Sequence, residues 1–123
     1  MKKVLLIEDD PEQIAIYRIP LELAGFDIMA ESGGKDGLAR AIGWEPDIIL
    51  LDIIMEDVDG MAVLRQLKSY KKTKDIPVVI LTNVSVKENM EQAKSLGAAA
   101  FWEKTRVMPQ EIVERCKKIL SIP

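Results

Sequence analysis

Histidine is absent from this chain of 123 residues, and cysteine occurs once. That excludes an internal disulfide, a Cys/His zinc site, a Cys–His pair and a Ser–His–Asp triad, and with them most hydrolase chemistry. A basic excess is missing too. Lys+Arg 17 against Asp+Glu 20 leaves a formal charge of −3, which offers nothing to hold a phosphate backbone or an anionic membrane. Direct nucleic-acid binding is therefore not expected. No apolar stretch approaches the ~20 residues that a membrane-spanning helix requires. Met1-Lys2-Lys3 leads into Val4-Leu5-Leu6-Ile7, but Glu8-Asp9-Asp10-Pro11 ends that run too early for a signal peptide. The expectation is a cytoplasmic protein without contact to the membrane. A hydrophobic fraction of 48% and a charged fraction of 30% match a folded globular chain rather than a disordered one. The length suits one domain over residues 1–123, with a single sizeable core.

Four short apolar runs, at 4–7, 47–51, 78–81 and 98–102, have strand length and are apolar on both faces. Buried parallel strands have that character, because helices cover both sides of their sheet. A weaker fifth strand, 26–30, alternates Phe26, Ile28 and Ala30 with Asp27 and Met29, as a strand near an edge does. Between the strands lie segments of helical period at about 11–24, 35–42, 61–70, 86–96 and 110–120. In the first, Ile14, Tyr17, Leu21 and Ala24 share a face, Gly25 is the stop, and Pro20 predicts a kink. Ser85 with Glu88 forms a capping box for the fourth, which Gly97 closes, and Pro109 with Glu111 suits the first turn of the fifth. Strict alternation of strand and helix defines an α/β domain with a mainly parallel sheet.

Ligands in open α/β sheets bind beyond the carboxyl ends of the strands. Those ends carry Glu8-Asp9-Asp10, Asp52, Thr82-Asn83 and Glu103-Lys104. An acidic triplet before Pro11 also reads as a solvated turn with a helix cap, whereas Asp52, at the tip of Ile48-Ile49-Leu50-Leu51, points to function. Clustered carboxylates repel one another unless a cation neutralises them, and an oxygen-only ligand set points to Mg²⁺. Glu8, Asp9 and Asp52 carry −3, and Mg²⁺ with Lys104 carries +3. A carboxylate nucleophile beside Mg²⁺, a lysine and the Thr82 hydroxyl suits in-line phosphoryl transfer, with an aspartyl phosphate as product.

These residues resemble the response-regulator receiver domain of two-component signalling, and the likeness covers nearly the whole chain. It is carried by Val4-Leu5-Leu6-Ile7-Glu8-Asp9-Asp10-Pro11, Pro46-Asp47-Ile48-Ile49-Leu50-Leu51-Asp52, Asp59-Gly60, Pro77-Val78-Val79-Ile80-Leu81-Thr82, Gly97-Ala98 and Lys104. The resemblance implies a flavodoxin-like, doubly wound five-stranded parallel sheet of order 2-1-3-4-5. It implies Asp52 as phosphoacceptor, and Glu8 (through water), Asp9, Asp52 and the Ile54 backbone carbonyl as the Mg²⁺ ligands. Thr82 resembles the switch hydroxyl, Lys104 the lysine that pairs with the phosphoryl group, and Phe101 the aromatic switch residue. The implied phosphodonor is a histidine kinase or phosphotransfer protein. The implied output is a contact with a downstream protein through the fourth helix, fifth strand and fifth helix, by a monomer or a phosphorylation-dependent dimer, with no output domain in this chain. Such a module catalyses only its own phosphorylation and dephosphorylation.

Three departures from the family pattern bear on that reading. Glu56 replaces the usual Pro after the phosphoacceptor loop. Thr105 follows Lys104 where the family usually has a cis Pro, so a trans bond, or a strained cis one, is expected. Ile54 and Val84 are apolar where polar side chains help orient the hydrolytic water, which predicts a long-lived phosphoryl group. The departures at 56 and 105 keep open a degenerate receiver that binds partners without phosphorylation, and a receiver excised from a longer transcription factor or hybrid kinase is a further alternative. Other classes fit less well. A Mg²⁺ phosphatase needs a second Asp two residues after Asp52, where Ile54 stands. A flavin or nucleotide site needs a phosphate loop where Glu8-Asp9-Asp10 would repel phosphate. Asp57-Val58-Asp59 reads as a loop ending in the turn-forming Asp59-Gly60, Cys116 as a core thiol, and Trp44 and Trp102 as packing.

Overall fold

In the computed structural model, which describes residues 1–83 and 86–123, strands and helices alternate along the chain. They are β1 (Lys3–Ile7), α1 (Pro11–Leu23), β2 (Asp27–Glu31), α2 (Gly34–Trp44), β3 (Ile48–Leu51), α3 (Gly60–Ser69), β4 (Val78–Thr82), α4 (Lys87–Ser95), β5 (Ala100–Glu103) and α5 (Pro109–Ile119). The strands form one parallel sheet in the order β2-β1-β3-β4-β5, as expected from the resemblance.

Side chains alternate across the sheet, so the apolar runs supply two cores. Val4, Leu6, Ile48 and Leu50 pack with Tyr17 and Leu21 of α1 and with Ile112, Val113 and Cys116 of α5. Leu5, Ile7, Ile49 and Leu51 pack on the other face against Ala41 of α2, Leu64 and Leu67 of α3 and Ala93 of α4. Each such aliphatic contributes roughly 1.5–3 kcal/mol when fully buried. The register then sets the functional edge. Ile7 lies level with Leu51, and the next residues along each strand are Glu8 and Asp52. The Asp52 N–H donates to the Ile7 carbonyl at 3.0 Å.

The starts of β2 and β5 fall later than the sequence expectation for one shared reason. The run at 98–102 enters the sheet at Ala100, and the run at 26–30 enters at Asp27. Ala98 N–H donates to Ala93 O and Gly97 N–H to Lys94 O, while Phe26 N–H donates to Leu21 O and Gly25 N–H to Glu22 O. Both are Schellman closures, with Gly25 at φ +96° and Gly97 at φ +97° in the left-handed conformation. Ala98 and Phe26 are apolar because they close helices. β5 is also half-exposed as an edge strand, less covered than its apolar run implied.

α1 runs through Pro20 as one helix, and Ile16, whose carbonyl loses its donor to the proline, is an exposed residue. Val86 is the N-cap of α4 and makes no side-chain cap bond, while Ser85 of the expected capping box lies outside the described residues. At α5 the Glu111 carboxylate accepts the Met108 N–H at 3.3 Å. Among the described residues no helix is long and apolar enough to cross a membrane.

Candidate functional site

The ends of β1 and β3 converge on a carboxylate cluster. Glu8, Asp9 and Asp52 each place an oxygen within 4.8 Å of the others. Asp10, next in sequence, instead caps α1 by accepting the Glu12 N–H at 3.0 Å, which turns the chain away from the sheet and leaves Asp9 at its rim. Lys104, one residue beyond β5, reaches across the strand ends. Its Nζ donates to Glu8 Oε2 at 2.6 Å and to Asp52 Oδ2 at 3.4 Å. Its backbone N–H is fixed on the Thr82 carbonyl at 2.8 Å. Both partners of the Lys104–Glu8 pair are almost wholly buried, with side-chain exposures of 4% and 3%.

Burial raises the Glu8 carboxyl to about 7; the Lys104 hydrogen bond opposes that rise, and the Asp52 charge adds to it. Burial alone would lower the Lys104 ammonium, but the hydrogen bond to Glu8 and the charges of Asp52 and Glu8 outweigh it and raise it instead. Three carboxylates facing one ammonium leave a deficit of two positive charges when all three are ionised. A hard divalent cation fits that deficit, because every donor at the site is an oxygen.

The loop after β3 completes the wall. Ile54 N–H donates to Asp52 Oδ1 at 3.2 Å, and the Ile54 side chain projects outward, 59% exposed. Gly60 N–H donates to the Ile53 carbonyl at 3.0 Å. A Cβ on Gly60 would lie 2.3 Å from the Ile53 Cα and 2.4 Å from the Asp52 carbonyl oxygen, so this close approach admits only glycine. Thr82 is buried at the end of β4. Phe101 is half-buried on β5, opposite Ile80. It lines a groove of about 480 Å³ between α4 and β5 with Lys87, Met90 and Lys94, away from the carboxylates. The structure thus gathers Glu8, Asp9, Asp52 and Lys104, and puts Thr82 at the adjoining strand end. Among the described residues no peptide bond is cis, so Lys104–Thr105 takes the trans form of the two expected alternatives. Val84 lies outside the described residues.

Two contacts escaped sequence reasoning. Glu56 N–H donates to Asp9 Oδ2 at 3.1 Å. Asp57 accepts the N–H groups of Gly34 at 3.0 Å and Lys35 at 3.2 Å, and so caps α2 from a distant loop. Those N–H groups hold the Asp57 carboxyl below its ordinary range. One signal was present: α2 starts at Gly33-Gly34, with no local side chain to satisfy its first N–H groups. Asp59, read as a turn residue, caps α3 through the Met61 N–H at 3.0 Å.

A doubly wound parallel sheet with acidic side chains and one lysine at its carboxyl edge defines a class of α/β proteins that act at that edge. The response regulator receiver domain model matches residues 4–117, and the chain belongs to that family. Over 122 residues it is 33% identical to the DNA-binding dual master transcriptional regulator RpaA of Synechocystis, covering 99% of this chain and 49% of RpaA. Over 120 residues it is 29% identical to the polar-differentiation response regulator DivK of Brucella ovis, covering 98% and 97%. The chain therefore spans about half the length of the first relative and nearly all of the second. The chemotaxis protein CheY4 of Vibrio cholerae shares the fold, with TM-score 0.89 at 23% identity over 97% of this chain and 98% of that one. Receiver domains are signalling modules of two-component systems rather than turnover enzymes.

Proposed function

We propose that this receiver accepts a phosphoryl group on Asp52 from a histidine of a kinase or phosphotransfer protein and passes the signal to a protein partner. The carrying observation is the convergence of Glu8, Asp9 and Asp52 within 4.8 Å, with Lys104 bridging two of them. In this reading an Asp52 oxygen attacks the phosphorus in line, the P–N bond breaks, and the imidazole nitrogen leaves with the electron pair. Glu8, Asp9, Asp52 and the Ile54 carbonyl are the groups that would hold Mg²⁺, with Glu8 acting through water. When bound, Mg²⁺ would supply positive charge to the transferring oxygens. Lys104 adds a second positive charge and Thr82 a hydroxyl donor. Reorganisation at Thr82 and Phe101 alters the α4-β5-α5 face, where the partner binds.

Intact mass after incubation with acetyl phosphate tests the assignment. The expected result is a gain of one phosphoryl group that requires Mg²⁺ and is absent in Asp52→Asn. Folded, Mg²⁺-binding protein that gains nothing, even from a cognate kinase, would instead support a degenerate receiver, which the residues at 56 and 105 favour. Following the same sample after the donor is removed measures the lifetime. Apolar Ile54, exposed beside Asp52, supports slow hydrolysis, and loss of the added mass within seconds would refute that expectation.

A further inference from the structure

Lys104 holds two of the three clustered carboxylates, and Asp9 is the exception. Among the described residues Asp9 makes no ion pair, and its Oδ2 is fixed by the Glu56 backbone N–H at 3.1 Å. That bond engages one oxygen of a carboxylate that also offers an oxygen to the cluster with Glu8 and Asp52. Glu56 is itself held from both sides. Ile54 N–H ties the loop to Asp52 Oδ1 at 3.2 Å, and Asp57 ties it to the first N–H groups of α2 at 3.0 and 3.2 Å. The donor therefore stands on a loop fastened to β3 at one end and α2 at the other.

We propose that the Glu56 backbone N–H, seated by the Asp57 clasp on α2, is a positioning group that pre-orients Asp9 for a divalent cation. The proposal rests on reading the carboxylate cluster as a metal site. The donor belongs to the backbone, so any residue at 56 supplies it except proline, which has no N–H. Receivers with the usual proline here lack this bond, whereas this chain has it. Hydrogen bonds from outside the ligand set fix ligand orientation, and losing one typically costs 10–100-fold in metal affinity. This N–H lies at an exposed position, so the expected effect is about tenfold, the lower end of that range.

The test is Mg²⁺ titration of metal-free protein by calorimetry, comparing wild type with Glu56→Gln, Glu56→Pro and Asp57→Ala. Glu56→Gln removes the side-chain charge and keeps the donor, so its dissociation constant stays within about twofold of wild type, as expected for an exposed charge. Glu56→Pro raises that constant about tenfold over Glu56→Gln, and Asp57→Ala shifts it in the same direction by less. A second readout needs no change at 56: in the amide spectrum of metal-free protein, the Glu56 resonance moves on Asp9→Ala, while that of distant Gly97 does not. Equal affinities for the proline and glutamine variants, or an unmoved Glu56 amide, overturn the tether and leave the metal site standing. No Mg²⁺ binding by the wild type overturns the metal reading and the tether with it. If Glu56→Pro fails to fold, the Asp57→Ala affinity and the amide shift decide.

Discussion

Glu8 sits under a conflict between its surroundings and its charge, and the conflict has a measurable sign. Its carboxyl is raised from 4.5 to about 7, chiefly by burial. The unfolded carboxyl loses its proton at lower pH than the folded one, so stability is full below 4.5 and falls as pH rises through 7. Urea unfolding in EDTA is expected to show a loss on the order of 1–3 kcal/mol between pH 5 and pH 8, and Asp52→Asn, which removes a neighbouring charge, flattens the profile. A midpoint that rises over this interval would contradict the assignment. Sequence already showed the identities at this site, because Asp52 ends an unbroken aliphatic run and Glu8-Asp9-Asp10 ends another. It did not show the division of labour among them. Asp10 caps a helix, Asp9 takes a backbone donor, and only Glu8 and Asp52 share Lys104. Neighbours in one triplet diverge because the chain turns there from strand to helix. Cys116 is simpler: an apolar helix face announced it, and burial pushes its thiol up to about 12.

Helix ends explain where element boundaries were legible and where they were not. Hydrophobic period located all five helices and five strands, since both core faces draw on alternating residues of the same runs. It misplaced the starts of β2 and β5 because an apolar residue after a Schellman glycine has the same composition as a strand residue. The same motif closes α5, where Ser121 stands at φ 56° and the Ile122 N–H donates to Lys117 O at 2.8 Å. Another left-handed residue, Glu45 at φ 52°, ends α2. A side chain in that conformation costs ~1–2 kcal/mol. Glu45→Gly is therefore expected to stabilise the protein by about 1 kcal/mol. Gly97→Ala should destabilise it by a similar amount, although the nearest atom to an added Cβ, Lys68 Cγ, is 3.5 Å away. Chemical denaturation of the two variants checks both signs. The loop 53–58 was the least legible piece, since its holds on Asp9 and α2 join residues 47 and 22–23 positions apart.

At the scale of the molecule, β5 links the carboxylate edge to the face proposed for partners. Lys104 follows it directly, Phe101 lines the groove against α4, and the Arg115 guanidinium of α5 lies 5.5 Å from the Trp102 ring. Trp102 is thus a natural reporter of this face. With Trp44→Phe to silence the other indole, phosphorylation is expected to change Trp102 emission. In Lys104→Ala the emission should stay unchanged, while Mg²⁺ still binds. Equal emission changes with and without Lys104 would detach β5 from the response.

The bond from Lys104 to Glu8 joins positions 96 residues apart. During synthesis the carboxylates emerge from the ribosome early, and the lysine that completes their surroundings emerges only near the end of this stretch. A nascent or truncated chain that stops short of Lys104 leaves the acidic pocket without this partner, so the buried Glu8 gains its counter-charge only after the fifth strand has been translated and docked.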